Sequence, residues 1–471
     1  MKLKNIEILQ AKQYLRTKQQ VNRIVVVCPK NAFGSWVDEF QACFHGREPL
    51  RLFQIHDPRY TTRNDRHRAL QYECGGCNLI LVNYEAVGGV LEQLQSLTAQ
   101  HTLLVFDEAH KVKRVNGRYA QKALDLARCA AHVVAMTGTP IPNGYLDIYN
   151  LLHILFPDEY NEFFDFSVPM LLKPNPAEIT AINDKLQPFF CRTTKQELEV
   201  PAANPDKVYE IPASACENEL LRILRLKYGD KKLALLARIL QMESDPAMLL
   251  RNMELKEFAE LLEVSEETDE VDTVDYTKEV QQLIARNRIT TKFQMCVNLA
   301  ETLVMQGKTA IIWCIFVASI QNLAKALEAR GIRCKCIYGE VPLEERQQIL
   351  EDFRSGKIQV LLTNPHTLAE SVSLHSVCHD AIYYEYSYNL VHLLQSKDRI
   401  HRLGLPEGQY TQYHFFQMQY QYRDIAWSME GEVYDRLQEK EQIMLDAIEH
   451  HQMESLPTSQ EDLDAVFAGL F

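Results

Sequence analysis

Two adjacent carboxylates, Asp107 and Glu108, follow the apolar run Leu103-Leu-Val-Phe106. Such a run reads as a buried strand of a parallel α/β sheet, and sheets of that kind present ligand-binding residues at the carboxyl ends of their strands. There, one carboxylate can supply the single oxygen that a magnesium ion bridging nucleotide phosphates takes from protein, while a second orients an attacking water. Asp107 is assigned to the metal and Glu108 to the water. An acidic turn after a core strand would look the same in isolation. This pair, however, continues into Ala109-His110 and, after a helical stretch, a second apolar strand, Ala131-His-Val-Val-Ala-Met136, runs into Thr137-Gly-Thr-Pro140. Far downstream, Gln395-Ser-Lys-Asp-Arg-Ile-His-Arg-Leu-Gly404 places Arg399 and Arg402 three residues apart, a spacing that on a helix aims both guanidinium groups the same way. Planar, permanently charged guanidinium suits the charge that builds on a transferring phosphate.

These residues need a scaffold, and breaks in pattern outline one. Residues 1–205 alternate strand and helix signals and read as a first α/β lobe, with Pro201, Pro205 and Pro212 marking an irregular exit. Residues 206–289 read as a helical insertion: Leu220, Leu221 and Leu224, then Leu235, Leu236, Ile239 and Leu240, recur at helical spacing. Within it, Ser265 to Asp275 is acidic and poor in large apolar side chains, the composition of a mobile loop. A second α/β lobe spans 290–418, and 419–471 reads as a closing helix, Glu430 to His450, followed by an acidic tail with an apolar tip that either docks on a partner or packs on its own lobe.

The ordered segments resemble the Swi/Snf-type branch of the superfamily-two helicases, the DEAH-box double-stranded DNA translocases. The resemblance extends through Arg23-Ile-Val-Val-Val-Cys-Pro-Lys30 with Trp36 behind it, Leu81-Val-Asn-Tyr-Glu85, Pro140-Ile-Pro-Asn143, Ile311-Ile-Trp-Cys-Ile-Phe316 and Val360-Leu-Leu-Thr-Asn364, and so covers nearly the whole chain. It implies two RecA-like parallel-sheet lobes with a helical insertion between them and an active site in the cleft between the lobes. It also implies ATP and Mg2+ as cofactors and double-stranded DNA as partner. The catalytic residues would be Asp107, Glu108, Arg399 and Arg402, with Asp107 the metal ligand. Asp107, His110, Thr137, Gly138, Thr139 and Gln395 would bind the nucleotide, and Pro29, Lys30, Trp36, Asn83, Tyr84, Thr363 and Asn364 the nucleic acid.

The departures matter as much. Where the family carries a glycine-lysine-threonine phosphate loop, this sequence has Met1-Lys-Leu-Lys-Asn5, with Lys4 at the lysine position and Leu3 and Asn5 where glycine and threonine belong. A leucine side chain there occupies space meant for phosphate oxygen. The leading expectation is an ATP-dependent translocase that couples ATP hydrolysis to movement on double-stranded DNA; the alternative is a truncated or degenerate member that binds nucleic acid or a partner without turning over nucleotide. A third reading makes it the motor subunit of a restriction, defence or repair complex. Gly307-Lys308-Thr309 imitates the end of a phosphate loop, but helix-patterned Cys296 to Met305 precedes it and the strand beginning at Ala310 follows, the inverse of the required order. In the second lobe Ala369-Glu-Ser-Val-Ser373 replaces a glycine-rich stretch, and Leu405 stands where glutamine is common.

A net charge of −13 over 471 residues looks wrong for a DNA binder until it is divided along the chain. Residues 254–279 and 428–471 each hold eleven acids and two bases, whereas 1–70 holds thirteen Lys and Arg against six acids. Local basic patches, not the sum, govern attraction to phosphates. The sequence has no apolar run near the ~20 residues that cross a membrane, and twelve cysteines are scattered rather than spaced as a disulfide framework. A cytoplasmic protein is expected. Cys74-Gly-Gly-Cys77 has no second pair at zinc-ribbon spacing.

Overall fold

Two separate, mostly parallel sheets organise the chain. The computed structural model describes residues 12, 20–44, 46–137, 144–186, 200–251, 276–368, 372–402, 404–405, 408–422, 425–449 and 459–470. The chain divides into two compact units, Met1–Arg192 with Ile443–Leu456, and Thr193–Gln442 with Pro457–Phe471.

In the first unit β1 (Arg23–Val27), β2 (Leu52–Gln54), β3 (Leu79–Val82), β4 (Thr102–Asp107) and β5 (His132–Met136) form a sheet of order β2-β3-β1-β4-β5 in which every pairing is parallel. The cause is visible in the residues: Ile-Val-Val-Val in β1, Leu-Ile-Leu-Val in β3 and Leu-Leu-Val-Phe in β4 are runs of β-branched and large apolar side chains buried throughout, as a strand covered on both faces requires. The helices Phe33–Phe44 and Arg118–Ala127 give buried apolar stripes to the same core. The helix Arg63–Tyr72 starts at a reciprocal cap, where Thr62 accepts from the Asp65 N–H and Asp65 accepts from the Thr62 N–H, a device worth about 1 kcal/mol. Because the strands run the same way, the chain leaves β1, β3, β4 and β5 at one sheet edge, carrying Lys30, Asn83, Asp107 and Thr137.

The second unit holds β6 (Lys207–Pro212), β7 (Ala310–Trp313), β8 (Cys334–Ile337), β9 (Val360–Thr363), β10 (Asp380–Tyr383), β11 (Gln412–Tyr422) and β12 (Ile425–Trp427). The order is β12-β11-β10-β7-β9-β8; β6 pairs in parallel with β11, and among the described strands of this sheet only β12 is antiparallel. The helices Ala215–Tyr228, Lys232–Ser244, Lys278–Arg286 and Thr291–Met305 account for the helical reading of the middle of the chain; the Ser265 to Asp275 loop reading lies outside the described residues. Gly307-Lys308-Thr309 is the turn from the helix Thr291–Met305 into β7, with Gly307 at φ +74, as its inverted order predicts.

One reading changes, and one that was left open is decided. The proline-marked exit is irregular only through residue 206; Lys207–Pro212 adds a strand beside β11, with Pro212 at its last position. Tertiary pairing overrides proline here because a strand end needs no further ladder donor. The acidic tail packs within its own unit: the helix Ser459–Val466 buries Leu463 and Val466, Phe467 stacks on Trp427 at 6.2 Å, and buried Asp462 takes Arg436 at 3.0 Å and Lys440 as partners. The closing helix runs Met429–Glu449.

Candidate active site

Asp107 is the last residue of β4, flanked by β1 and β5, and only 3% of it is exposed. Both of its carboxylate oxygens are held. Oδ2 accepts from the indole Nε1 of Trp36 at 3.0 Å, and Oδ1 accepts from the backbone N–H of Glu108 at 3.0 Å. The backbone carbonyl of Asp107 accepts from the Tyr84 hydroxyl at 2.8 Å. Groups that follow β1, β3 and β4 thus converge on one residue and fix its carboxylate.

Glu108 sits at φ +53, ψ +49, the left-handed region that costs a non-glycine residue about 1–2 kcal/mol. Strain of this kind persists where surrounding structure enforces it, and it collects at functional sites. The turn brings Oε2 of Glu108 within 3.3 Å of His110 Nδ1, which also lies 3.3 Å from Thr137 Oγ1 beyond the end of β5. Asp107, Glu108, His110 and Thr137 therefore gather at one sheet edge across two neighbouring strand ends. Gly138 and Thr139, like Lys4, lie outside the described residues.

The arginines are not arranged as their spacing predicts. The helix Leu390–Lys397, capped by Asn389 accepting from His392 N–H at 3.1 Å, ends before them, and Arg399 and Arg402 lie in the turns that follow. The helical alignment inferred for them is therefore corrected: the helix ends at Lys397, and a carbonyl of its last turn takes a side-chain donor instead of continuing the ladder. Arg399 is 3% exposed; its Nε donates to the Gln395 carbonyl at 2.8 Å and its Nη1 to the Val372 carbonyl at 3.0 Å, tying the chain after β9 to the helix end. Arg402 is 8% exposed, and the intervening His401 shares a 2.8 Å hydrogen bond with the Pro201 carbonyl. Gln395 is half-buried.

Of the residues read as nucleic-acid contacts, Lys30 alone is exposed; Pro29, Trp36, Asn83, Tyr84, Thr363 and Asn364 are all buried in this conformation. Trp36 and Tyr84 spend their polar atoms on Asp107. Asn83 is held between His56, at 2.7 Å from Nε2, and the Glu85 carboxylate. Burial pushes the His56 pKa down, and the positive charge of Lys30 adds to that, so Lys30, His56 and Asn83 form one cluster beside the strand ends. Thr363 closes β9 with no exposure. Asn364 follows it in a small pocket shared with Glu385, Asn389 and His392. There the Asn364 Oδ1 and Asn389 Nδ2 have no partner among the described residues.

One supporting residue carries no motif signal. Asn150, 1% exposed, donates its side-chain amide to the carbonyls of Val112 at 2.7 Å and Arg114 at 2.9 Å, bracing the loop that follows His110. Its trace in the sequence is an asparagine inside the apolar helix Ile148–Leu155.

The signature of the SNF2-related domain matches residues 3–253, more than half of the sequence, and that of the helicase conserved C-terminal domain matches 291–404. The chain belongs to the SNF2-related family. Its relatives include a Caenorhabditis elegans SWI/SNF-related matrix-associated actin-dependent regulator of chromatin, subfamily A containing DEAD/H box 1 homolog, 22% identical over 454 residues, covering 85% of this chain and 45% of that protein. Human chromodomain-helicase-DNA-binding protein 1 is 22% identical over 406 residues, covering 85% and 23%. The Saccharomyces cerevisiae ISWI chromatin-remodeling complex ATPase ISW1 is 22% identical over 413 residues, covering 85% and 34%. The chain thus spans less than half the length of these relatives. Among solved structures, the Sulfolobus solfataricus SWI2/SNF2 ATPase core in complex with dsDNA aligns over 98% of this chain and 90% of that one, at 16% identity and a TM-score of 0.35. Among the described residues no helix is long and apolar enough to cross a membrane.

Proposed function

We propose that this SNF2-family chain couples ATP hydrolysis to movement along double-stranded DNA, with 1–205 and 290–418 as its two motor lobes, 206–289 as the helical insertion and 419–471 as the closing segment. The observation that carries the proposal is the carboxylate pair after β4: Asp107 held by Trp36 and a backbone N–H, and Glu108 held in a left-handed turn against His110. Two hard oxygen ligands at a buried strand end fit magnesium, which prefers carboxylate and water. Asp107 would hold the metal of a magnesium nucleotide, which supplies the charge neutralisation that phosphoryl transfer needs. Glu108 orients and deprotonates the attacking water, with His110 and Thr137 keeping its carboxylate in place. Gly138, Thr139 and Gln395 complete the nucleotide contacts, and Arg399 and Arg402 are assigned to charge on the transferred phosphate. Lys30, the exposed member of the strand-end cluster, is assigned to a DNA phosphate. A cytoplasmic setting and protein partners from a defence or repair complex belong to the same reading.

A competing reading, a family member that binds DNA without turnover, draws on Leu3 and Asn5 at the positions of glycine and threonine. Phosphate release by purified, folded protein with and without duplex DNA separates the two. The motor reading expects DNA-stimulated release that Glu108→Gln abolishes while DNA binding survives. Release at background in a folded chain that still binds duplex DNA would reject the motor reading in favour of its competitor.

A further inference from the structure

We propose that Cys74 and Cys77 form a thiol pair that a hydroperoxide converts to an intramolecular disulfide, with Cys77 the thiol attacked first and Cys74 the one that resolves it. The pair lies on the 3-10 turn Cys74–Gly76, between the helix Arg63–Tyr72 and β3, away from the strand ends that carry Asp107.

Geometry makes the pair. The Cys77 N–H donates to the Cys74 carbonyl at 3.0 Å, closing a turn. Residues i and i+3 of such a turn stand less than about 7 Å apart between Cα atoms, overlapping the roughly 4.4–6.8 Å that a disulfide spans. The Cys77 thiol donates to the Glu73 carbonyl at 3.8 Å, which holds it at the start of the same turn. Two arginines pin the turn from outside: Arg23 donates to the Gly75 carbonyl and Arg51 to the Gly76 carbonyl. Bond formation is therefore within reach of side-chain rotation on this turn.

Access and charge set the order of events. Cys74 is fully buried and Cys77 is half-buried. Partial burial raises the Cys77 pKa overall, while the positive charges of Arg23 and Arg51 favour its thiolate; Cys74 is raised by burial first, and then by Cys77. In the first step the Cys77 thiolate attacks the peroxide O–O bond, giving the Cys77 sulfenic acid and releasing alkoxide or hydroxide. In the second, Cys74 sulfur displaces that sulfenic oxygen, the S–S bond forms, and the Cys74 proton leaves with the hydroxyl as water. Peroxide is the two-electron oxidant for the two thiols.

The other neighbouring cysteine pairs among the described residues are less well placed. Cys334 and Cys336 share one face of β8, but two residues of strand rise put their Cα atoms about 6.6 Å apart, at the far end of the disulfide range, and Cys296 and Cys314 are both sealed from solvent. With Cys74 and Cys77 alone, no third His, Cys, Asp or Glu completes a metal-binding group among the described residues.

The test treats the full chain with hydrogen peroxide and maps thiols by mass spectrometry after digestion. The expected product is loss of two hydrogens from the peptide holding Cys74 and Cys77, reversed by dithiothreitol. Cys74→Ser should leave a Cys77 sulfenic acid trapped by dimedone, whereas Cys77→Ser should leave Cys74 unmodified. Because the raised Cys77 pKa keeps the thiolate scarce near neutrality, the rate should rise about tenfold from pH 7 to pH 8. Folding is checked by circular dichroism. Should either variant unfold, phenylarsine oxide on the unaltered chain replaces it, with one arsenic bridging both sulfurs expected. Stepwise oxidation of Cys77 to sulfinate with Cys74 still a thiol, sulfenate at Cys74 in Cys77→Ser, or no arsenic bridge would each overturn the proposal.

Discussion

Replacing Trp36 by phenylalanine tests whether this side chain acts through Asp107. The substitution removes the indole N–H that donates to Asp107 Oδ2 at 3.0 Å, in a place where Trp36 has no exposure and Asp107 only 3%. A hydrogen bond to a charged group contributes about 1.5–3 kcal/mol, and its loss leaves a buried carboxylate oxygen short of a donor. The smaller ring also opens a void, at about 1 kcal/mol for each methyl-sized gap. Together these make the first unit less stable by about 3–4 kcal/mol. At about 2–4 °C per kcal/mol for a unit of this size, its thermal transition should drop by about 6–16 °C.

Turnover should fall on the order of tenfold to a hundredfold, the cost of a small misplacement of a reacting group. Affinity for duplex DNA without nucleotide should be unchanged, because Trp36 presents no surface. Adding Trp36→Phe to Asp107→Asn should cost little further activity, since two residues acting through one group are not additive. Calorimetry, phosphate release and fluorescence anisotropy on labelled duplex read these quantities. Weakened DNA binding with turnover intact would refute the argument and restore Trp36 to the DNA contacts.

The two arginines are separable. Arg399→Lys loses the fork that reaches both Gln395 and Val372 carbonyls, so the second unit should melt lower; an unchanged transition would show those bonds to be inconsequential. Arg402→Lys should lower DNA-stimulated phosphate release on the order of a thousandfold if its guanidinium meets the transferring phosphate, and retained activity would remove it from the site. A third expectation concerns the fully buried cluster of Lys292, Glu430 and Glu243, in which Lys292 contacts Glu430 closely and stands 4.0 Å from Glu243. Burial, then repulsion from Glu430, raises the Glu243 pKa well above its ordinary value, so the folded chain retains a proton that the unfolded chain releases. Stability from such a group is complete below the unfolded pKa and is lost as pH rises through the folded one. The second unit should therefore melt lower as pH climbs from 5 to 8. Glu243→Gln should flatten that slope, and an unaltered slope in the variant would assign it elsewhere.

The sequence announces the strands of both sheets because strands covered on both faces need continuous apolar runs, and β1, β3, β4, β7 and β9 are such runs. It also places Asp107, Glu108, His110 and Thr137 near one another, since consecutive parallel strands deliver their ends to one edge. What spacing does not encode is where a helix stops. Arg399 and Arg402 keep an i, i+3 separation, yet the helix ends at Lys397 and the first guanidinium turns back on backbone carbonyls. The strand Lys207–Pro212 was hidden for a related reason: its residues alternate weakly, and its partner β11 lies some 200 residues away.

The same reasoning explains why a tryptophan and a tyrosine read as nucleic-acid contacts turn out to serve a carboxylate. Trp36 and Tyr84 each carry one polar atom on a large apolar body, which suits a stacking surface and a buried donor equally well. Sequence cannot choose between those uses, because the choice depends on whether a neighbouring strand end offers a buried acceptor. Here β4 offers two, the side-chain carboxylate of Asp107 and its backbone carbonyl, and each aromatic residue satisfies one. An unpaired carboxylate at 3% exposure would be costly to fold around. The two aromatic donors therefore stabilise the fold and orient a metal ligand through the same pair of hydrogen bonds, so the Trp36→Phe effects on melting and on turnover should appear together.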